Sequence, residues 1–118
     1  NWAYVQSKMD AAASFTYQIT PVCFHGHTHV PVGFSEGLDI SGDFFDKIMV
    51  EPNKRYFINV GSVGQPRDGD PRAAYVIYDE QEATIQLYRL DYDVERTQEK
   101  IRNAGLPERL AERLALGK

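Results

Sequence analysis

The chain has 118 residues, of which 42% are hydrophobic and 25% are charged, and its formal net charge is -4. This length suits one modest domain that buries a real hydrophobic core. Lys and Arg are scattered along a chain of net negative charge, which argues against a nucleic-acid polymer as the partner. No apolar segment is long enough to cross a bilayer, so we expect no membrane association.

The only cysteine, Cys23, lies in an apolar run and cannot form an intramolecular disulfide. We therefore expect a small core residue in a protein of a reducing, cytoplasmic compartment. There is no charged-then-apolar leader of the secretory kind. The sequence starts at Asn1, within a segment typical of the middle of a structured region, so we expect a piece of a longer protein.

The pattern predicts a short helix over residues 7–17, followed by six short strands separated by Gly, Pro, Asn and Asp. Six strands in succession predict a sheet. The last two should form a hairpin around residues 79–83, and the polar face of the second should meet water. The predicted strands are residues 22–24, 30–34, 44–50, 55–60, 73–78 and 84–90.

Two helices are predicted to close the chain. The first covers residues 94–104, with Asp93 as its N-cap and Gly105 as its stop signal. The second begins at Pro107 and runs to about residue 116. Leu106, Leu110 and Leu114 lie four apart, which predicts the buried stripe of the second helix.

All three histidines, His25, His27 and His29, fall within five residues directly after a predicted strand. Imidazole is the commonest protein metal ligand, and a His-x-His pair at a strand end can aim two rings at one point, with Gly26 allowing a tight turn. The alternative is a pair hydrogen-bonded to backbone. Two imidazoles leave a divalent ion short of ligands, so further ligands must come from elsewhere. Strand alternation places His25 with the pair, but a surface or supporting role suits it better than ligation.

Two segments, residues 23–31 around Gly26-His27-Thr28-His29 and residues 57–67 with Asn59-x-Gly-Ser-x-Gly, resemble the C-terminal part of bacterial calcineurin-like metallophosphoesterases. Residues 68–75 and 104–110 extend the resemblance over essentially the whole chain. It implies two divalent metal ions, chosen among Mn, Fe, Ni and Zn, with His27 and His29 ligating different ions. It also implies hydrolysis of a phosphomonoester or phosphodiester by a hydroxide that the two ions hold.

The carboxylate-bearing motifs of that family precede Gly-His-x-His, and this sequence has none of them before Gly26. Residues 42–46 do spell Gly-Asp-x-x-Asp, but in the wrong chain order, and we interpret them as a coincidental turn. We therefore expect residues 1–118 to be the C-terminal portion of a metallophosphoesterase domain that is inactive alone, and we assign it no catalytic residue. Arg67 is a candidate for holding a phosphoryl oxygen.

The expected fold class is α/β (α+β), as part of a four-layer αββα sandwich, with one mainly antiparallel or mixed sheet and flanking helices. Its partners should be a phosphate-ester substrate and either the missing N-terminal half or a second copy, because the uncovered sheet face would be apolar. The rival hypothesis is a non-catalytic β-sheet module that binds a metal or a partner through the histidine loop. The aromatic residues, which could line a nucleoside pocket, are predicted to be core, and the glycines of residues 59–72 to be structural.

Overall fold

A computed structural model describes residues 4–118 of the chain. Three helices and seven strands follow one another in an order that matches the predicted helix, strands and closing helices, with one strand added. The helices and strands are α1 (Lys8–Phe15), β1 (Val22–His25), β2 (Val32–Glu36), β3 (Ile40–Asp43), β4 (Lys47–Met49), β5 (Arg55–Asn59), β6 (Ala73–Asp79), β7 (Thr84–Leu90), α2 (Val94–Asn103) and α3 (Glu108–Leu116).

The strands form two sheets, where the sequence had predicted one. A four-stranded mixed sheet has the order β1-β5-β2-β3, and a three-stranded antiparallel sheet has the order β4-β7-β6. β1 runs parallel to β5, while β2 is antiparallel to both β3 and β5. The α+β class is confirmed. The prediction of a single sheet was wrong because the sequence of a short strand does not indicate which strand it pairs with. β4, for example, pairs with β7, which is distant in the sequence.

Two hydrophobic cores lie on opposite faces of the four-stranded sheet. On one face, Phe34 packs against Ala11 and Phe15 of α1. On the other face, Tyr56 and Ile58 of β5 pack against Ile85 of the three-stranded sheet. Successive side chains of a strand point to opposite faces, so β5 contributes to both cores. Burying each large apolar side chain stabilises the fold by about 1.5–3 kcal/mol.

The helix ends are set by local capping interactions. In α1 a capping box joins the Ser7 and Asp10 side chains to each other's backbone N–H groups. The Asp93 carboxylate accepts a hydrogen bond from the Arg96 N–H, so the predicted N-cap of α2 is confirmed. α2 ends before Gly105, whose φ is 70°. No helix in residues 4–118 is long and apolar enough to cross a membrane.

Several local predictions were wrong. Leu106 is 49% exposed and precedes α3, whose buried positions are Ala111 and Leu114. Cys23 is only half-buried, because β1 lies at the edge of its sheet. Phe44 is 72% exposed, against the prediction that the aromatic residues are core.

The hairpin of β6 and β7 is confirmed, with Asp79 paired to Thr84. The polar face of β7 was predicted to face water. Tyr88 on that face is instead half-buried and stacks on Tyr75, with ring centroids 5.2 Å apart. The Gly-Asp-x-x-Asp run was predicted to be a turn, but its first two residues, Gly42 and Asp43, belong to β3. A side chain at residue 42 would collide with the Phe34 ring, which explains the glycine without any role in metal binding.

Candidate metal centre in the loop after the first strand

Parallel pairing of β1 and β5 brings two loops together. His25, the last residue of β1, lies opposite Asn59, the last residue of β5. Parallel strands end at the same edge of a sheet, so the loop that carries His27 and His29 leaves this edge beside the loop that begins at residue 60. The two segments that carry the family resemblance are therefore neighbours in space.

The two candidate ligands have left-handed backbone conformations, with φ of 82° at His27 and 62° at His29. A residue with a side chain pays about 1–2 kcal/mol for this conformation relative to the right-handed one. Strain of this kind concentrates at functional sites. The sequence had assigned the turn to Gly26 and had extended strand alternation through the loop. Both assignments were wrong, because β1 ends at His25 and the histidines themselves make the turn.

Asn59 fixes the loop on both sides of His27. Its side chain is fully buried, and its Nδ2 donates to the Thr28 Oγ1 at 2.7 Å and to the Gly26 carbonyl at 3.2 Å. Its Oδ1 accepts from the Gly61 N–H at 2.9 Å. Thr28 is itself buried. One amide therefore joins the residue before His27, the residue after it and the start of the neighbouring loop.

His29 is oriented by the loop after β5. Its Nδ1 lies 2.9 Å from the Gln65 carbonyl oxygen, which can only accept, so Nδ1 carries the proton and donates. The Arg67 N–H donates in turn to the His29 carbonyl at 3.1 Å. In this tautomer the lone pair lies on Nε2, which is the arrangement of a metal-binding histidine.

His27 is exposed, and its ring stacks on Tyr4 with the centroids 4.0 Å apart and the planes 18° from parallel. The stack fixes the plane of the imidazole without using either ring nitrogen. In a neutral imidazole only one ring nitrogen carries the lone pair that can bind an ion, and the stack does not involve it.

The environment of His25 differs from that of His27 and His29. Its ring stacks on Phe57 at 4.0 Å between centroids, and its Nε2 is buried without a hydrogen-bond partner within residues 4–118. Burial disfavours the imidazolium and lowers the pKa of His25 below its usual value, against a smaller opposing contribution from the Gly26 backbone. His25 is therefore a neutral, partly buried imidazole at neutral pH.

Arg67 lies next to the histidine loop, half-buried, and its Nη2 donates to the Gln65 Oε1 at 2.6 Å. Its Nε is buried and has no hydrogen-bond partner in the described part of the chain. An ion pair between Asp68 and Arg89, both largely buried, connects the same loop to β7. These contacts suit the predicted structural role of the loop.

The chemistry of the donors fits a divalent ion only in part. Neutral imidazole nitrogens suit Zn, Fe, Mn or Ni. Within residues 4–118, however, no three His, Cys, Asp or Glu side chains are grouped to hold a metal ion. Within the described residues, His27 and His29 therefore lack the further ligands that a metal site needs. The sequence placed Asn59 in the Asn-x-Gly-Ser-x-Gly motif and Gln65 just after it, but predicted neither of their hydrogen bonds to the histidine loop.

Comparisons with known proteins bear on the fold of the chain. No protein-family model matches the chain. An uncharacterized protein of Methanocaldococcus jannaschii is 46% identical over 96 residues, which are 80% of this chain and 39% of that protein. A crystal structure of a metallophosphoesterase from Sphaerobacter thermophilus matches with a TM-score of 0.88 and 41% identity, over 99% of this chain and 50% of that one. The chain thus spans half or less of the length of both proteins. The resemblance predicted from the sequence is confirmed, and the chain has the fold of about half of a metallophosphoesterase.

Proposed function

We propose that residues 1–118 are the C-terminal portion of a metallophosphoesterase domain, and that they supply His27 and His29 to a site for two divalent metal ions. The observation that carries this proposal is the hydrogen bond from the His29 Nδ1 to the Gln65 carbonyl. A histidine whose Nδ1–H is held by a backbone carbonyl presents Nε2 as a ligand, and such supporting contacts typically change metal affinity about 10–100-fold.

The activity we assign to the complete protein is hydrolysis of a phosphomonoester or phosphodiester. Two bound ions would supply Lewis-acid chemistry, activating water and neutralising charge on the phosphoryl oxygens. Manganese is the ion we would test first. This chain contributes the imidazole arm alone, and the carboxylate arm must come from the N-terminal half. We therefore expect residues 1–118 alone to be inactive.

Arg67 is the candidate for binding the phosphoryl group. It carries a fixed positive charge beside the loop of His29, and its buried Nε lacks a partner within the described residues. A guanidinium recognises phosphate through two parallel N–H donors. Its contact with the neutral Gln65 amide can be exchanged for a contact with an anionic oxygen at a net gain.

The missing half would cover apolar surface at one side of the two sheets. β1 and β6 are edge strands within residues 4–118, and Phe24 of β1 is 41% exposed. Phe24 contacts Tyr78 across the sheets, with ring centroids 5.9 Å apart. The unpaired edges of β1 and β6 therefore lie on the same side of the two sheets. The N-terminal half is the partner we propose there, and a second copy of the chain is the alternative.

The test uses the full-length protein, loaded with manganese and assayed with a chromogenic phosphodiester and the matching monoester. His27→Ala and His29→Ala should each lower the metal content and the turnover. His25→Ala is the matched control for metal content, because it removes the third imidazole of the same segment.

Loss of metal in the two variants but not in the control supports the proposal. Unchanged metal content and turnover in both His27→Ala and His29→Ala would exclude these residues as ligands. Metal binding that depends on both histidines, without hydrolysis of either ester, would favour the rival hypothesis of a non-catalytic binding module.

A further inference from the structure

A cavity lies between α1 and the histidine loop, and both Tyr4 and His27 are part of its wall. We propose that it binds the aromatic ring of the substrate, such as a nucleobase or an aryl group carried by the phosphoester. The inference deepens the proposed function and rests on it, since it specifies the group attached to the phosphate at that site.

The cavity has a volume of about 640 Å³. This is within the range of pockets that bind small organic molecules. Its walls include Tyr4 and Tyr17 from the segment around α1, His25 and His27 from the strand end and loop, and Phe57 from β5. Because His27 is itself part of the wall, a ring bound here lies beside a proposed metal ligand. The phosphate that carries it can then reach the site.

Two stacked pairs of rings line the cavity, and each ring has one face covered by its partner. Tyr4 lies 18° from parallel to His27, and His25 lies 12° from parallel to Phe57. The exposed fractions of Tyr4 and Tyr17 are 50% and 87%, so both rings have open surface. Aromatic surfaces of this kind bind flat rings by stacking, with little dependence on which base is bound.

The polar atoms of the cavity favour a neutral ring over a second phosphate. The buried Nε2 of His25 has no partner within residues 4–118, and buried polar atoms nearly always have one. A ring nitrogen or an exocyclic group of a ligand would supply it. Asp10 also lines the cavity, and hydrogen bonds from the Gln6 backbone and the Ser7 side chain keep the pKa of its carboxyl below the usual value. Its negative charge disfavours an anion at this place.

The experiment measures binding to the full-length protein in the presence of EDTA, so that neither metal nor hydrolysis enters the result. Adenosine and 4-nitrophenol are the probes for a base and an aryl ring, and ribose is the probe without an aromatic ring. Binding is followed by saturation-transfer NMR and by calorimetry. We expect adenosine or 4-nitrophenol to bind at least about tenfold more tightly than ribose, and the stronger of the two identifies the source of the ring.

Tyr4→Leu should weaken the binding of the preferred probe at least about fivefold, whereas Tyr4→Phe, which keeps the ring, should bind as the natural protein does. Met9→Leu is the control on the same helix, since Met9 is 83% exposed and lies outside the cavity wall. A second measurement compares the KM of a nucleoside or aryl phosphoester with that of a glycerol phosphoester in Tyr4→Leu, where the preference should fall.

Equal binding of all three probes, or unchanged binding in Tyr4→Leu, would overturn the inference. The proposed function fails on a different result, namely metal content that does not depend on His27 and His29. Because the titration in EDTA contains no metal, the two failures are distinguished.

Discussion

Replacing Asn59 by Leu tests whether one buried amide holds the histidine loop. Leu is close to Asn in size and shape but can neither donate nor accept a hydrogen bond. The change removes the donors to the Thr28 Oγ1 and the Gly26 carbonyl, and the acceptor for the Gly61 N–H. These three groups lose their partner at a place where Asn59 is fully buried and Thr28 is nearly so.

The magnitude follows from those three contacts. A hydrogen bond in a folded protein contributes about 1 kcal/mol net, and a buried group left without its partner costs about 1–3 kcal/mol. We therefore expect Asn59→Leu to lower the free energy of unfolding by about 3–4 kcal/mol. The residues on both sides of His27 would also lose their anchor, so metal affinity should fall by about 10–100-fold.

Urea unfolding in metal-free buffer measures the change in the free energy of unfolding. Competition with a chelator, in buffer without denaturant, measures the change in metal affinity. Asn103→Leu is the control for replacing an amide by an apolar side chain, since Asn103 is exposed at the end of α2, and a change within about 0.5 kcal/mol is expected. If Asn59→Leu unfolds like the natural protein, the hydrogen-bond network around Asn59 does not hold the loop.

Three further predictions concern backbone strain and charge. Gly105→Ala should cost about 1 kcal/mol because φ is 70° with open space around it, whereas Gly117→Ala should cost more in the same urea titration, because its Cβ would lie 2.6 Å from the Asp70 nitrogen. Equal costs would contradict the role of that close approach. His27→Gly should be about 1 kcal/mol more stable than His27→Ala in metal-free unfolding, since glycine adopts a positive φ without strain, and the reverse order would refute the strain argument. The hydrogen bond from the Arg72 side chain lowers the pKa of Asp70 from 3.8 to about 2, so its stabilising effect is present above 3.8 and lost as the pH falls through about 2. The difference in unfolding free energy between the natural protein and Asp70→Asn should shrink over that interval, and a difference independent of pH would exclude the pair as its source.

The parts of the fold that sequence predicted well are those with local signals. The hairpin of β6 and β7 has two clear strands and a polar turn, and β7 has the predicted bounds. Asp93 and Gly105 define the ends of α2 by capping chemistry that needs only neighbouring residues. β3 was missed because Ile40-Ser41-Gly42-Asp43 is short and polar, and only its pairing with β2 makes it a strand.

The candidate site was predicted through its ligands but not through its supports. The sequence indicated His27 and His29 because two imidazoles at a strand end are chemically distinctive. Asn59 and Gln65 lie in a segment that carries the family resemblance, but the contacts they make arise from the parallel pairing of β1 with β5, which no local pattern encodes. The backbone carbonyl of Gln65 could not have been found from the identity of any side chain.

The contacts around the strained loop also explain how the two candidate ligands keep their orientation. The left-handed conformations of His27 and His29 cost about 1–2 kcal/mol each, which is comparable with what a few hydrogen bonds contribute. Those bonds, from Asn59 to the residues beside His27 and between His29 and the Gln65 carbonyl, all lie within this chain. The orientation of the imidazole arm is therefore a property of these residues themselves. In the proposed site, the carboxylate ligands would meet an arrangement of imidazoles that these residues already hold.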